Sequence, residues 1–369
     1  VFELFVSAES ETYPANFRVS LEDPNLIRSK DFTLSHLKMV WTWLKWPLAL
    51  AILAILIWRN REGFQQFAAQ DKHWGYFGAA FVLSTVSIFL TFLRWSWLVR
   101  ALGFDFPLRN ACRLGLMGMA VSYVGPGMVG GDSFKAVSIA SGQASRRIVA
   151  AATVFLDRIL GMLALMWVGS LGAMISAPTY GQEVHLTARW IFWISSTAGT
   201  LGLIALMIPA VTRSPLVSWV SHLPLVGRIF SQLLEGVALY QKRPAVLFLA
   251  TAIAAVGHML MCSSLYCCAQ GLGGWSPSVM DHFYLTPTAE IIGLIPTPGG
   301  VGPQEFAILE LYKTFPPAEV SVESAGQVGL LASIAFRLNT MVIAAFGAVF
   351  YLAAKDEVST GQQLESPAV

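Results

Sequence analysis

A few ionisable residues stand in stretches of chain that are otherwise apolar: Asp132 and Lys135, Asp157 and Arg158, Glu290, Glu305 and Arg337. The cations among them could hold an anionic or phosphate-bearing group, arginine through two parallel N–H donors and lysine as a point charge. A charge left facing lipid at the bilayer centre costs at least about 2.5 kcal/mol, so each is expected to face protein or water. Gly130 and Gly131 offer a second kind of anion contact, through backbone N–H groups exposed at a helix start. Asp132 is equally expected as an ordinary N-cap for a helix through Phe134 to Ile139. Glu305, just after Gly302-Pro303-Gln304, is expected as a first-turn acid favoured by the helix dipole. Neighbouring residues on a helix point about 100° apart, so Asp157 and Arg158 cannot neutralise each other. Asp157 is expected to pair with Arg337 in the last helix. Arg94 reads as a snorkelling residue near a span end. His258 reads as a packing residue rather than a proton relay, and His282, beside Asp281, as interfacial.

The elements that carry these residues belong to a membrane protein. In 369 residues, 55% are hydrophobic and 12% charged, far more apolar surface than one soluble core could bury, which excludes a soluble enzyme. The balance of 24 basic against 22 acidic residues leaves a net charge of +2 and no electrostatic footprint for nucleic acid. The histidines show no H-E-x-x-H pattern, there is no phosphate-binding G-x-x-x-x-G-K-[ST] loop, and Cys112, Cys262, Cys267 and Cys268 lie in apolar runs without C-x-x-C spacing. No metal and no cofactor is expected. Residues 1–38 mix acids with scattered apolar residues and read as a polar N-terminal extension, and 355–369 as a polar tail.

A helical span needs roughly 18 or more apolar residues. Six stretches qualify: 39–58, 74–93, 159–182, 190–212, 244–280 and 324–354. Tryptophans 41, 43, 46, 58, 74, 95, 97 and 190 gather near their ends, at expected headgroup level. Two further apolar stretches, 114–131 and 283–304, are broken by Pro126 and by Pro296, Pro298, Gly299, Gly300, Gly302 and Pro303. Neither can run straight through lipid, and irregular backbone at that depth survives only against protein or a watery cavity. Both are expected to be re-entrant.

The two broken stretches repeat one another. Ala101-Leu102-Gly103 and Gly271-Leu272-Gly273 lie 170 residues apart, as do Pro126 and Pro296, and Gly130 and Gly300. Each is followed by an apolar helix with one arginine, Arg158 or Arg337, and a longer loop around Pro316-Pro317 absorbs the extra length of the second interval. The expected domain is 39–354, with halves at about 74–182 and 244–354. If both broken segments dip in and return, most basic residues fall on one side, which the positive-inside rule makes the cytoplasm. Arg59, Arg61 and Lys72 are the exception. The first broken segment then enters from inside and the second from outside, an inverted repeat of the kind found in alternating-access transporters.

Three motifs carry a family resemblance: Pro126 followed by Gly130-Gly131-Asp132-x-x-Lys135, then Asp157-Arg158-x-x-Gly161, then Pro298-Gly299-Gly300-Val301-Gly302-x-x-Glu305. Over about residues 40–354 the chain resembles the transmembrane, flippase-like domain of lysylphosphatidylglycerol synthases and its free-standing relatives. Lysine stands at 135 where such relatives usually carry arginine. The resemblance implies an all-α polytopic protein of six to eight transmembrane helices with two re-entrant broken helices. It implies a plasma (inner) membrane location with both termini cytoplasmic. The implied role is translocation of a lipid or lipid-linked headgroup between leaflets, held by Gly130, Gly131, Asp132, Lys135, Asp157, Arg158, Glu290, Pro296, Pro298, Gly299, Gly300, Gly302, Glu305 and Arg337. Only about fifteen polar residues follow Ala354, so the soluble aminoacyltransferase activity of full-length synthases is not implied. The expected partners are a membrane lipid and a separately encoded lipid-modifying enzyme, with no nucleic acid. Two alternatives stand beside transport: a membrane-embedded transferase acting on a lipid-linked group, and a non-catalytic membrane partner of a separate synthase.

Overall fold

The computed structural model describes residues 71–124, 128–141, 146–214, 234, 236–295, 297 and 301–364, all within the unit that runs from Ala51 to Val369. The expected span at 39–58, the extension 1–38, Pro126, Pro296, Pro298, Gly299 and Gly300 lie outside the described residues. The protein is all-α, and among the described residues there is no strand. Its helices are α1 (Trp74–Ala101), α2 (Leu108–Val124), α3 (Met128–Ser141), α4 (Arg147–Ile175), α5 (Gln182–Met207), α6 (Pro244–Gly271), α7 (Val279–Ile292), α8 (Pro303–Tyr312) and α9 (Val322–Leu364), with one further turn at Pro209–Thr212.

Helices α1, α4, α5, α6 and the Val322–Gly347 part of α9 are long and apolar enough to cross a bilayer. The other four are not. At 1.5 Å per residue the 17, 14, 14 and 10 residues of α2, α3, α7 and α8 extend about 26, 21, 21 and 15 Å, short of a ~30 Å hydrocarbon core. They form two helical hairpins, α2–α3 and α7–α8, each packed arm against arm. Residues of the expected 244–280 span therefore divide between a crossing helix and the first arm of the second hairpin.

The halves are inverted. Hydrogen bonds from His73 N to the Gly271 carbonyl (3.0 Å), from Ser264 to the Ala80 carbonyl (2.8 Å) and from Ser87 to the Gly257 carbonyl (2.8 Å) climb α1 while descending α6. These central helices are therefore antiparallel. Ser87 and Gly257 are 170 residues apart, so repeat-mates touch, which places them on the pseudo-twofold axis. The packing obeys the same symmetry: α2 lies on α9 as α7 lies on α4, α3 on α4 as α8 on α9, and α1 on α4 as α6 on α9. Only α5, which packs on α4, has no counterpart among the described residues.

Each hairpin leans on the long helix of the other half through a matched glycine. A Cβ on Gly172 of α4 would lie 2.2 Å from the Phe283 carbonyl carbon of α7, and one on Gly347 of α9 would lie 2.0 Å from the Leu116 carbonyl oxygen of α2. Small residues let helix backbones approach this closely, and dispersion then holds the two halves together. Gly172→Leu or Gly347→Leu is expected to force the hairpin off its support and to cost at least about 2 kcal/mol. A fall in the thermal midpoint of the detergent-solubilised protein checks it, while Gly202→Leu, where nothing lies within 4 Å, should be tolerated.

Basic residues collect at one end of the bundle. There Arg146 donates to the Leu102 carbonyl (3.2 Å), the Tyr240 hydroxyl to Leu98 (2.8 Å) and Gln241 to Leu206 (2.8 Å). These bonds gather Arg100, Arg146, Arg147, Lys242 and Arg243, and the first hairpin opens toward this end. The second opens toward the other, where Asp281 accepts from Ser176 (2.7 Å) and Tyr180 N–H donates to Thr314 (2.9 Å). Trp74 and Trp190 are exposed, as interfacial rings should be. Trp95 is not interfacial: it is buried and its indole N–H reaches Thr153 at 3.3 Å.

Candidate functional site

The returning arm of each hairpin starts level with the middle of the long helices, and each carries an acid within its first five residues. These are Asp132 of α3 and Glu305 of α8. In both halves the long helix that follows turns an arginine onto that acid. Arg158 of α4 grips Asp132 with two donors, Nε and a second N–H at 3.0 Å, and Arg337 of α9 grips Glu305 through Nε while donating to the Gln304 side chain (2.9 Å).

The two clusters differ in access and charge. Glu305 is 1% exposed and also caps its own helix, accepting from Gly302 N–H at 2.7 Å, so the first-turn role holds with an ion pair added. Gly302 makes this possible with a φ of 102°, which a side chain would strain. One carboxylate meets one guanidinium there. Around Asp132 stand two cations, since Lys135 Nζ lies 3.0 Å from its second oxygen and 5.6 Å from the Trp95 ring centre. These three line a cavity of about 110 Å³ with Ile88, Thr91, Phe92, Gly115, Met119 and Ser122, room for a few waters or one small anion. Arg158 is the most accessible of the three charged residues, with 39% of its side chain accessible against 18% for Asp132 and 14% for Lys135.

The N-cap expected of Asp132 is not made. Helix α3 begins four residues earlier at Met128, which leaves the carboxylate inside the helix and free to face Arg158 and Lys135. Gly131 is a packing residue: its Cβ would fall 2.3 Å from the Gly118 carbonyl and 2.1 Å from the Ser122 hydroxyl of α2, so its absence lets the hairpin arms cross. Gly130 sits in the first turn of α3, beside the cavity-lining arm.

The expected Asp157–Arg337 pair is also corrected. Both oxygens of Asp157 are engaged by Arg94, at 2.6 and 2.9 Å, and its carbonyl accepts a third bond at 3.2 Å. Arg94 does not snorkel; it is 5% exposed and lies in a niche beside Gly161, which leaves room for its guanidinium. The rotation between adjacent residues aims Asp157 at α1 and Arg158 at the hairpin. Asp157 is thereby a brace behind the cavity. His282, expected at the interface, is fully buried between the Ser278 carbonyl (2.8 Å) and the Tyr312 hydroxyl (2.6 Å), because Ser278 and Asp281 form the capping box that starts α7 and turn the next residue inward.

Glu290 joins the first half from the other hairpin. Near the tip of α7, it lies close enough for its charge to act on Arg158, and its Oε2 is 3.4 Å from His258 Nδ1. So Asp132, Lys135, Arg158 and Glu290 are brought together, while Glu305 and Arg337 form a separate pair that does not line this cavity. Sequence reasoning missed Arg94 and His258 as partners. The signal for each was positional, since His258 stands at the midpoint of a 28-residue helix and no side chain snorkels from there. Among the described residues no group of three His, Cys, Asp or Glu could hold a metal ion.

Comparison with known proteins fits this architecture. The family described as the lysylphosphatidylglycerol synthase TM region matches residues 46–352. The chain belongs to that family. No curated protein and no solved structure matches it. Family membership and the five spans make it a multi-pass membrane protein concerned with lipid.

Proposed function

We propose that the protein moves a lipid with an anionic, phosphate-bearing headgroup from one leaflet to the other. The headgroup occupies the cavity at Asp132, Lys135 and Arg158 while the acyl chains stay in lipid. The observation that carries this reading is an accessible cluster of two cations and one carboxylate at the tip of a broken helix. Such a cluster holds a fork and a point charge for phosphate oxygens where the bilayer otherwise offers none. The antiparallel halves support it, because hairpins opening to opposite ends can alternate access to one site. Asymmetry selects the first half: Arg337 is matched by the buried Glu305.

The basic end faces the cytoplasm of a plasma (inner) membrane in this reading. A groove of about 460 Å³ at that end, lined by Trp97, Arg100 and Arg243 over apolar walls, suits an anionic lipid at headgroup level. A separately encoded lipid-modifying enzyme supplies the lipid. In liposomes holding the purified protein, headgroup-labelled phosphatidylglycerol should become accessible to an external quencher faster than in protein-free liposomes. If no anionic lipid class crosses faster with the protein than without it, the reading is wrong.

A further inference from the structure

His258, at the centre of α6, bridges two acceptors. Its Nε2 is 3.1 Å from the carbonyl oxygen of Gly161 on α4, and its Nδ1 is 3.4 Å from Glu290 Oε2 on α7. A carbonyl oxygen only accepts, so the nitrogen facing Gly161 carries hydrogen. In a neutral ring the other nitrogen then presents a lone pair to a carboxylate, and two acceptors face each other. Moving the hydrogen to Nδ1, the other neutral tautomer, only transfers the conflict to the Gly161 carbonyl. One added proton removes it, either on the second ring nitrogen or on the carboxyl group. We propose that His258 and Glu290 together bind one exchangeable proton, and that this proton is the coupling ion for the lipid. The coupling, though not the proton site, rests on the transport reading above.

The surrounding charges give the proton its effect. From α4 come Arg158, within electrostatic reach of Glu290, and Asp157, which is matched by Arg94 of α1. From α3 come Asp132 and Lys135, joined to Arg158 through Asp132. From α9, which also packs on α6, comes Arg337, matched by Glu305, and on α6 itself the Cys262 thiol feels the Glu290 charge. With the Arg94–Asp157 and Arg337–Glu305 pairs self-cancelling, Lys135 and Arg158 balance Asp132 and Glu290. The cavity is then neutral. A proton on the His258–Glu290 pair leaves it one positive charge in excess, the complement of a phosphodiester headgroup. Headgroup and proton therefore favour each other's binding by the same factor and travel in the same direction.

Two measurements separate the parts of the proposal. Nitrogen-15 NMR of the histidines in the full-length, detergent-solubilised protein, with His258 assigned through His258→Gln, should show His258 titrating. Glu290→Gln should change that titration, because the carboxylate facing Nδ1 is gone. A midpoint unmoved by Glu290→Gln, or a His258 that never titrates while the protein is folded, overturns the proton site whether or not lipid moves. In proteoliposomes, a pH step should accelerate labelled phosphatidylglycerol severalfold in the direction of proton flow, a response that His258→Gln and Glu290→Gln lose. Wild-type movement that ignores the step or runs against it, or variants that respond like wild type, overturns the coupling. Should a variant fail to fold, the wild type still decides: added short-chain phosphatidylglycerol should draw protons from a weakly buffered, dye-containing solution, and no uptake overturns the coupling. Absence of lipid movement at every pH defeats the transport reading and leaves the NMR result standing.

Discussion

Replacing Arg158 by glutamine is expected to slow lipid movement by about 10- to 100-fold, because a charge-assisted bond to the headgroup worth roughly 1.5–3 kcal/mol is lost. The protein should still fold. The Arg158 side chain is 39% accessible, Asp132 keeps Lys135 at 3.0 Å and Glu290 keeps His258 at 3.4 Å, so neither carboxylate is left without a partner. Arg158→Lys keeps the charge and loses the two-pronged geometry, and is expected to fall between wild type and glutamine. Lys135→Gln should cost less than Arg158→Gln, since Lys135 is already held by Asp132 and Trp95 and has less reach into the cavity. Headgroup-labelled lipid in liposomes reads all three. If Arg158→Gln moves lipid at the wild-type rate, the cavity beside Asp132 is not where the headgroup passes.

The spans were legible because length and apolar content alone decide whether a helix crosses a bilayer, and α1, α4, α5, α6 and α9 satisfy both. The hairpins were legible for the opposite reason: proline and glycine interrupt them where backbone groups need partners other than lipid. The inverted repeat showed in the 170-residue spacing, which the structure converts into contact between Ser87 and Gly257. Partner choice was not legible. Hydropathy says that Asp157, Arg158, Glu305 and Arg337 must avoid lipid, yet it carries nothing about helix rotation. Rotation decides that Asp157 meets Arg94 of α1 rather than Arg337. The start of α3 failed for a related reason, whereas that of α8 at Glu305 held. An aspartate after two glycines looks like a cap, but the close crossing of α2 and α3 at Gly118 and Gly131 extends the helix back to Met128 and leaves Asp132 inside it.

Asp157 therefore calls for a different outcome from Arg158, although the two are adjacent. Its carboxylate and the Arg94 guanidinium share two hydrogen bonds at 5% exposure each, and Asp157→Asn leaves a buried cation without its counter-charge. Breaking such a pair from one side costs about 3–5 kcal/mol, which is expected to appear as a large fall in folded yield and thermal midpoint before any transport is measured. Replacing both partners, Arg94→Met with Asp157→Leu, should recover much of that loss, because the pair's desolvation cost disappears along with its attraction. Thermal unfolding of the two single variants and the double variant in one detergent separates the terms. Full stability in Asp157→Asn together with abolished lipid movement would move this carboxylate from the brace to the headgroup site. A destabilised single variant rescued by the double one keeps it where the geometry puts it, fixing α4 against α1 so that Arg158 faces the hairpin.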